Sequence, residues 1–290
     1  NINVGVAITA GKLGIGFTDA QIKIGNTALD SLTTGTENTA VGNAALTANT
    51  IGSTNTAVGA NSLDANTTGS ENTAVGRGSL GKNTTGDANV AVGRNALEDN
   101  TTGSNNTAVG GDAMIDNTAD ANTAVGRSAL RTNTTGTQNV AVGAYAADAV
   151  TTGSYLTAIG YAALGANTTG NDNVAIGRAA LDANTTASNN VAVGSGCLGA
   201  NTTGAQNTAV GTNALDATTT GNYNVALGHG ALTTNTTASY NTGIGANSLE
   251  MNTTGAQNTA VGYEALEENT TGDYNAACGY NALDANTTGD

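Results

Sequence analysis

The chain has 290 residues, a formal net charge of −14, 41 glycines and a single Phe, and it contains neither Trp nor Pro. The excess of carboxylates argues against a nucleic-acid-binding protein, because phosphate contacts need clustered Lys and Arg. With so few large side chains an ordinary globular core is excluded, whereas small and β-branched residues suit thin stacks of strands. No apolar run approaches the ~20 residues that span a bilayer, so this segment is not expected to insert into a membrane.

Residues 1–24 come first and do not follow the pattern of the remaining chain. They contain the only Phe, Phe17, among several isoleucines and Leu13. Two interpretations are open for this segment. It is either an irregular cap that covers the end of a repetitive core, or a pair of degenerate coils in which Gly5 is a weak counterpart of the later glycines.

Residues 25–290 repeat a unit of seventeen residues, roughly Asn-Thr-Ala-Val-Gly-x-x-Ala-Leu-x-x-Asn-Thr-Thr-Gly-x-x. A short, nearly perfect repeat predicts coils that cannot bury their apolar side alone and therefore stack on their neighbours. We expect an all-β fold, a parallel β-solenoid (β-roll) of about sixteen coils. Disorder is disfavoured, because apolar positions keep a fixed register and only 10% of residues are charged. The anchor glycines of the units are Gly25, Gly42, Gly59, Gly76, Gly93, Gly110, Gly126, Gly143, Gly160, Gly177, Gly194, Gly211, Gly228, Gly245, Gly262 and Gly279.

One unit is shorter than the others. The anchors Gly110 and Gly126 are sixteen residues apart, because Asn117-Thr118-Ala119 has lost one residue of the usual Asn-Thr-Thr-Gly. The predicted domains are therefore the atypical segment 1–24 and a solenoid over 25–290, with a sixteen-residue repeat at 110–126.

Strand alternation within Thr-Ala-Val-Gly places the Thr and Val on one face and the Ala between them on the other. We expect the Val column to form the core. The alanine column admits almost nothing larger than a methyl group, so something packs closely on it, either another chain or a second wall of the coil. As a subunit interface it comprises Ala40, Ala57, Ala74, Ala91, Ala108, Ala124, Ala141, Ala158, Ala175, Ala192, Ala209, Ala226 and Ala260.

An adjacent Ala-Leu pair, such as Ala45-Leu46, follows each anchor glycine after two variable residues. Adjacent apolar residues do not alternate, so this side of the coil is open to a short helical turn as well as to a flat strand. In either case we expect the Leu column to pack against the Val column.

Asn recurs in two columns, four residues before the anchor and seven after it, as at Asn38 and Asn49. Stacked coils would bring these amides into ladders that bond from coil to coil. The alternative is partial glycosylation, because the Asn-Thr-Thr copies form sequons. We favour the ladder, since glycans on every coil would crowd at a spacing of ~4.8 Å. The eleven sequons lie at Asn66, Asn83, Asn100, Asn133, Asn167, Asn184, Asn201, Asn235, Asn252, Asn269 and Asn286.

The string [Ser/Thr]-x-Ala-[Val/Ile]-Gly-x-x-[Ala/Ser] appears as Thr73-Ala74-Val75-Gly76 and as Thr157-Ala158-Ile159-Gly160 with their neighbours. It resembles the head repeat of trimeric autotransporter adhesins of the YadA type and similar repeats in bacteriophage tail fibres, and the likeness covers residues 21–290. The resemblance implies a left-handed β-roll in which three chains associate side by side on a cell or virion surface. This chain departs from that family in its longer unit, because Asn-Thr-Thr-Gly is inserted.

No arrangement of catalytic residues is visible in the sequence. Catalysis needs a convergent acid, base or nucleophile, and the sole His, His229, occupies a variable position that we expect to face solvent. Cys197 and Cys278 lie five coils apart, beyond disulfide reach at ~4.8 Å per coil, and both are predicted to be small buried residues. We expect no enzyme activity, no catalytic residues, no cofactor and no metal.

Large side chains that break the repeat are the candidates for surface contacts, since Tyr combines an apolar ring with a polar tip. The simpler alternative, which we favour, is that wide turns tolerate large side chains. The candidates are Tyr155, Tyr161, Tyr223, Tyr240, Tyr263, Tyr274, Tyr280, Arg77, Arg94, Arg127 and Arg178.

The leading functional hypothesis is an extracellular structural or adhesive fibre segment, part of a surface adhesin or phage tail fibre. Its expected partners are copies of itself, as a homotrimer, and a glycan or protein on a host surface. A self-assembling filament subunit joined end to end is one alternative. An ice-binding solenoid is another, although Val140, Val174 and Val191 interrupt the Thr column.

Overall fold

The computed structural model describes residues 21–290, which are all-β. Sixteen three-residue strands form one parallel sheet, in which each strand pairs with the strand before it and the strand after it in the chain. The strands are β1 Ile22–Ile24, β2 Thr39–Val41, β3 Thr56–Val58, β4 Thr73–Val75, β5 Val90–Val92, β6 Thr107–Val109, β7 Thr123–Val125, β8 Val140–Val142, β9 Thr157–Ile159, β10 Val174–Ile176, β11 Val191–Val193, β12 Thr208–Val210, β13 Val225–Leu227, β14 Thr242–Ile244, β15 Thr259–Val261 and β16 Ala276–Cys278.

The strand register follows the repeat. Ala40 lies opposite Ala57, seventeen residues further on, and Thr107 lies opposite Thr123 across the one sixteen-residue unit. The deletion is therefore taken up in the turn near Asn117, away from the sheet. The predicted parallel β-solenoid is confirmed, and no helix long and apolar enough to cross a membrane occurs within residues 21–290.

The solenoid includes part of the segment predicted as a cap. β1 pairs in register with β2, with Ile22 opposite Thr39. Residues 22–24 therefore belong to the sheet. The rest of the predicted cap, including Phe17, lies outside the described residues.

The alanine column lies inside the coil. Ala40, Ala108 and Ala209 are 0% exposed in the single chain, as are all thirteen alanines of the predicted subunit interface. The prediction that this column contacts another chain is therefore wrong, and the alternative of a second wall within the coil is correct. The Val column is also corrected: it faces outward, with Val58 and Val75 each 37% exposed.

The Leu column forms the wall opposite the alanines. Leu46 and Leu80 are completely buried, and a methyl group added to Gly243, the glycine of the alanine column, would lie 3.4 Å from Leu232 Cδ1. The expectation that Leu packs against Val is wrong, because Val lies on the other side of the strand. The coil is so thin that a methyl group and a Leu side chain fill the space between its walls.

Enlarging an inward alanine is expected to destabilise folding. Ala209→Leu adds three carbons to a filled interior and should cost about 1–3 kcal/mol or more. The neighbouring outward change Val210→Leu should cost little, since Leu227 already occupies that column. Urea unfolding of both variants checks this. Equal stability of the two would contradict the inward placement of Ala209.

The corners of the coil are turns in the left-handed conformation. Leu46 has φ 51°, Ala44 has φ 57° and Glu71 has φ 61°, and these three columns repeat along the chain. The backbone N–H groups of these left-handed residues donate hydrogen bonds to an adjacent coil. Leu46 N donates to Ser62 O at 3.0 Å, and Ala44 N donates to Asn26 O at 2.9 Å. A left-handed Leu is incompatible with an α-helical turn, so the helical alternative for the Ala-Leu segments is wrong.

Both predicted asparagine ladders form. The backbone N–H of Asn55 donates to Asn38 Oδ1 at 3.0 Å, and Asn66 Nδ2 donates to Asn49 Oδ1 at 2.9 Å. The two columns also share an acceptor, because Asn38 Nδ2 and Asn49 Nδ2 both donate to Gly52 O at 2.9 Å. These side chains are 0% exposed. An amide buried in this way is inaccessible for glycosylation in the folded chain.

Three interruptions of the ladder leave an amide oxygen without a donor. Asn133 and Asn201 each have an unpaired Oδ1. In the next coil, the same column holds Val150 and Thr218 respectively instead of Asn. Asn100 Oδ1 precedes the shortened unit at 110–126. Each orphaned oxygen lies where the donor from the following coil is missing or displaced, which shows that the ladder depends on regular stacking.

Candidate interaction surface

The outer face of the sheet carries two continuous rows of side chains, one from the first residue of each strand and one from the third. From β2 to β16 the first row holds Thr, Val and one Ala, and the third holds Val, Ile, Leu and one Cys. No charged residue occurs in either row from β1 to β16. We call this surface the outer face.

The outer face is half exposed along its length. Val109 is 36% exposed, Ile159 38% and Leu227 47%. β-Branched side chains stand perpendicular to a sheet and shield one another, so no single residue protrudes. The result is an even, uncharged strip, in which a row of Thr and Val side chains lies beside a row of almost entirely aliphatic side chains.

Two margins border the outer face. The leading margin is the residue five before each anchor glycine, and the trailing margin is the residue directly after it. The leading margin holds Glu37, Glu71, Tyr155, Asp172, Tyr223, Tyr240 and Tyr274, and the trailing margin holds Arg77, Arg94, Arg127, Tyr161, Arg178, His229, Tyr263 and Tyr280.

The signs of charge on the two margins are opposite. Within residues 21–290 the leading margin has acidic but no basic residues, and the trailing margin has basic but no acidic ones. Only Arg94 of the trailing margin forms an ion pair within the described chain, with Asp112 at 2.7 Å.

Tyrosines on neighbouring coils stack along the rod. The rings of Tyr223 and Tyr240 on the leading margin are 5.0 Å apart and inclined by 6°. On the trailing margin Tyr263 and Tyr280 stack at 5.6 Å and 10°. Offset stacking holds these rings in place, so each pair presents an ordered aromatic edge to solvent.

All eleven Tyr and Arg residues predicted as surface contacts are exposed, and His229 is exposed as expected. They do not converge on one pocket but divide between the two margins. The sequence interpretation missed the outer face between them, because the larger Val side chains were assigned to the interior. The uniformly small alanine column was the available signal for a crowded interior wall.

No group of three or more His, Cys, Asp or Glu side chains within residues 21–290 could hold a metal ion. A groove of about 270 Å³ lined by Arg77, Lys82, Asp64 and Glu98 opens where Gly78 and Gly81 lack side chains. Its charged groups are of mixed sign, and no Ser, Thr, Cys or His side chain lines it.

The two cysteines differ in environment. Cys197 is buried as predicted, and its Sγ donates to Ala209 O at 3.2 Å. Burial raises the pKa of the Cys197 thiol to about 12. Cys278 is exposed, which corrects the expectation that it is buried, because it lies in the outward Val column.

Thiol alkylation is expected to distinguish the cysteines. At pH 8 the Cys197 thiol stays almost entirely protonated and shielded, so iodoacetamide should modify it only after unfolding, whereas Cys278 should react in the folded, monomeric chain. Peptide mass spectrometry after timed labelling measures both rates. Native labelling of Cys197 as fast as in the denatured chain would contradict this structure.

Comparisons of the chain with protein-family models, curated proteins and solved structures give no match.

Proposed function

We propose that this chain is a non-catalytic segment of an extracellular structural or adhesive fibre, in which copies associate side by side through the outer face. The observation that supports this most strongly is the uncharged strip over all sixteen strands of an otherwise acidic chain. Two copies carrying −14 each would repel one another through most other approaches. The outer face is the surface on which they meet with least repulsion.

The size of the outer face is adequate for a stable interface. Sixteen strands at ~4.8 Å extend over roughly 70 Å, and the strands with both margins span roughly 20 Å at ~3.3 Å per residue. The resulting ~1,400 Å² exceeds the ~800 Å² per partner of a standard protein interface. A rod of this length would hold a distal tip away from a surface, and the stacked tyrosines would be available to a host glycan or protein.

The solution mass measured by light scattering over a dilution series tests this proposal. A fixed small number of chains per particle, three in the adhesin-like case, supports side-by-side association. A monomer at all concentrations overturns it. Particles that grow with concentration support the alternative of an end-to-end filament.

Ice binding is a second candidate, favoured by the regular exposed rows of Thr and Val. The Val residues that interrupt the Thr column lie on the same outer face as the Thr residues, and the two side chains have nearly the same shape. The face would therefore present a repeating pattern with a spacing of ~4.8 Å along the rod.

The two candidates make different demands on the outer face, which must be covered in one case and free in the other. Thermal hysteresis of a monomeric sample, lost in Thr157→Lys but retained in Thr169→Lys on the other side of the coil, would support ice binding. Absence of hysteresis in the monomer would end that candidate.

A further inference from the structure

We propose that the copies associate parallel and in register, with the leading margin of each copy against the trailing margin of the next. This inference rests on the proposed self-association and specifies its geometry. It follows from how charged and aromatic residues are distributed between the two margins of a coil.

At five of the strands, residues on the two margins match within the same coil. Glu71 and Arg77 flank β4, and Asp172 and Arg178 flank β10. All four side chains are exposed, and none of them takes part in an ion pair within residues 21–290. They lie on opposite sides of a strand, so each would find its partner in another copy.

Aromatic residues follow the same rule. Tyr155 and Tyr161 flank β9 and are 57% and 58% exposed, and Tyr274 and Tyr280 flank β16 at 72% and 75%. Tyr223 likewise has His229 across β13. Five margin residues are exceptions. Glu37 and Tyr240 lie across from Asn43 and Ala246, and Arg94, Arg127 and Tyr263 lie across from Ala88, Ala121 and Gln257.

The symmetry that relates two copies determines which of their margins meet. Rotation about an axis parallel to the rod keeps every coil at its own height and brings the leading margin of one copy against the trailing margin of the next. Each Glu71 would then meet an Arg77 and each Asp172 an Arg178. In an antiparallel pair related by a twofold axis along the strands at the middle of the rod, leading would face leading. Glu71 would then lie opposite Tyr223 and Asp172 opposite Ala121, so neither carboxylate would meet a basic residue.

Packing and charge have separate roles in such an interface. The uncharged outer face supplies the buried area, and the margins at its rim select orientation and register. A shift by one coil would place Glu71 opposite Ala60 or Arg94, and Asp172 opposite Tyr161 or Ser195. No such shift restores both ion pairs.

A charge exchange tests the inference. Arg77→Glu alone, or Glu71→Arg alone, places like charges together and should weaken association about threefold to tenfold per interface. The double variant Glu71→Arg/Arg77→Glu should restore the affinity of the unmodified chain, because the introduced arginine of one copy would again face the introduced glutamate of the next. Arg131→Glu, an exposed change away from the margins, is the control and should have no such effect.

Affinities are measured by analytical ultracentrifugation over a dilution series at low salt. Weakening by both single variants with recovery in the double variant supports the parallel, in-register arrangement. Oligomers whose affinity is unchanged by the single variants, or is not recovered in the double variant, overturn this arrangement while leaving self-association intact. A monomeric unmodified chain would overturn the proposed function itself.

Discussion

Gly160→Ala is expected to destabilise the solenoid by about 3 kcal/mol or more. Gly160 has φ 135°, a conformation that side chains rarely adopt. Its added Cβ would lie 2.7 Å from the carbonyl carbon of Gly177 and would overlap the carbonyl oxygen. The obstacle is the backbone of the next coil, so no rotamer change relieves it.

Gly111→Ala is the matched control. Its added Cβ would have no atom within 4 Å and its φ is not positive. This change should be neutral or stabilise by about 0.4–1 kcal/mol through the unfolded chain. Thermal unfolding of both variants measures the difference in their stability. Hydrogen exchange of Gly160→Ala should show a loss of protection centred on the coils that contain Gly160 and Gly177. Similar melting of the two variants would refute the proposed contact between anchor glycines.

Asn83→Ala is expected to cost roughly 2–4 kcal/mol, because it orphans the buried Asn66 Oδ1 and removes one of the two hydrogen bonds of Asn100 Nδ2. Asn83 Nδ2 donates to Asn66 Oδ1 at 2.9 Å and to Gly86 O at 3.0 Å. Its own Oδ1 accepts from Asn100 Nδ2 at 3.2 Å. The exposed Asn43 makes no such bonds, and Asn43→Ala should change stability by less than ~0.5 kcal/mol.

The chain already contains an apolar replacement of the ladder. Val150 and Leu156 occupy the two Asn columns on either side of Gly153, and both are buried. Copying them as Asn83→Val/Asn89→Leu should therefore cost less than the sum of the two single changes, because Val150 and Leu156 occur together in one buried apolar cluster and neighbouring substitutions couple through shared packing. Urea unfolding of the four proteins in this cycle measures the coupling. Strict additivity would indicate that Val150 and Leu156 are tolerated separately.

The repeat alone was sufficient to predict the parallel sheet, its register and the asparagine ladders. Each of these depends on spacing, and the spacing of the anchors from Gly25 to Gly279 is visible in the sequence. The shortened unit near Asn117 could also be predicted as a turn variant, because strands in register tolerate deletions only between them.

Which side of each strand faces inward was not predictable from hydrophobicity. Val is larger and more apolar than Ala, so Val41 was expected inside and Ala40 outside. The thickness of the coil reverses this order, because Leu46 from the opposite wall fills the interior and leaves room only for methyl groups. The left-handed conformation of Leu46 could not be predicted from the residue type, because backbone hydrogen bonds to neighbouring coils impose it.

Disruption of the outer face tests the central claim, that copies of this chain associate through it. Val142→Lys/Ile159→Glu places an opposite-charge pair on neighbouring strands of the face, and Thr152→Lys/Thr169→Glu places the same pair on exposed turns of the same two coils. Light scattering, with circular dichroism to verify folding, should find the first variant monomeric and the second associated like the unmodified chain. Retention of the full mass by the folded Val142→Lys/Ile159→Glu variant would contradict the claim.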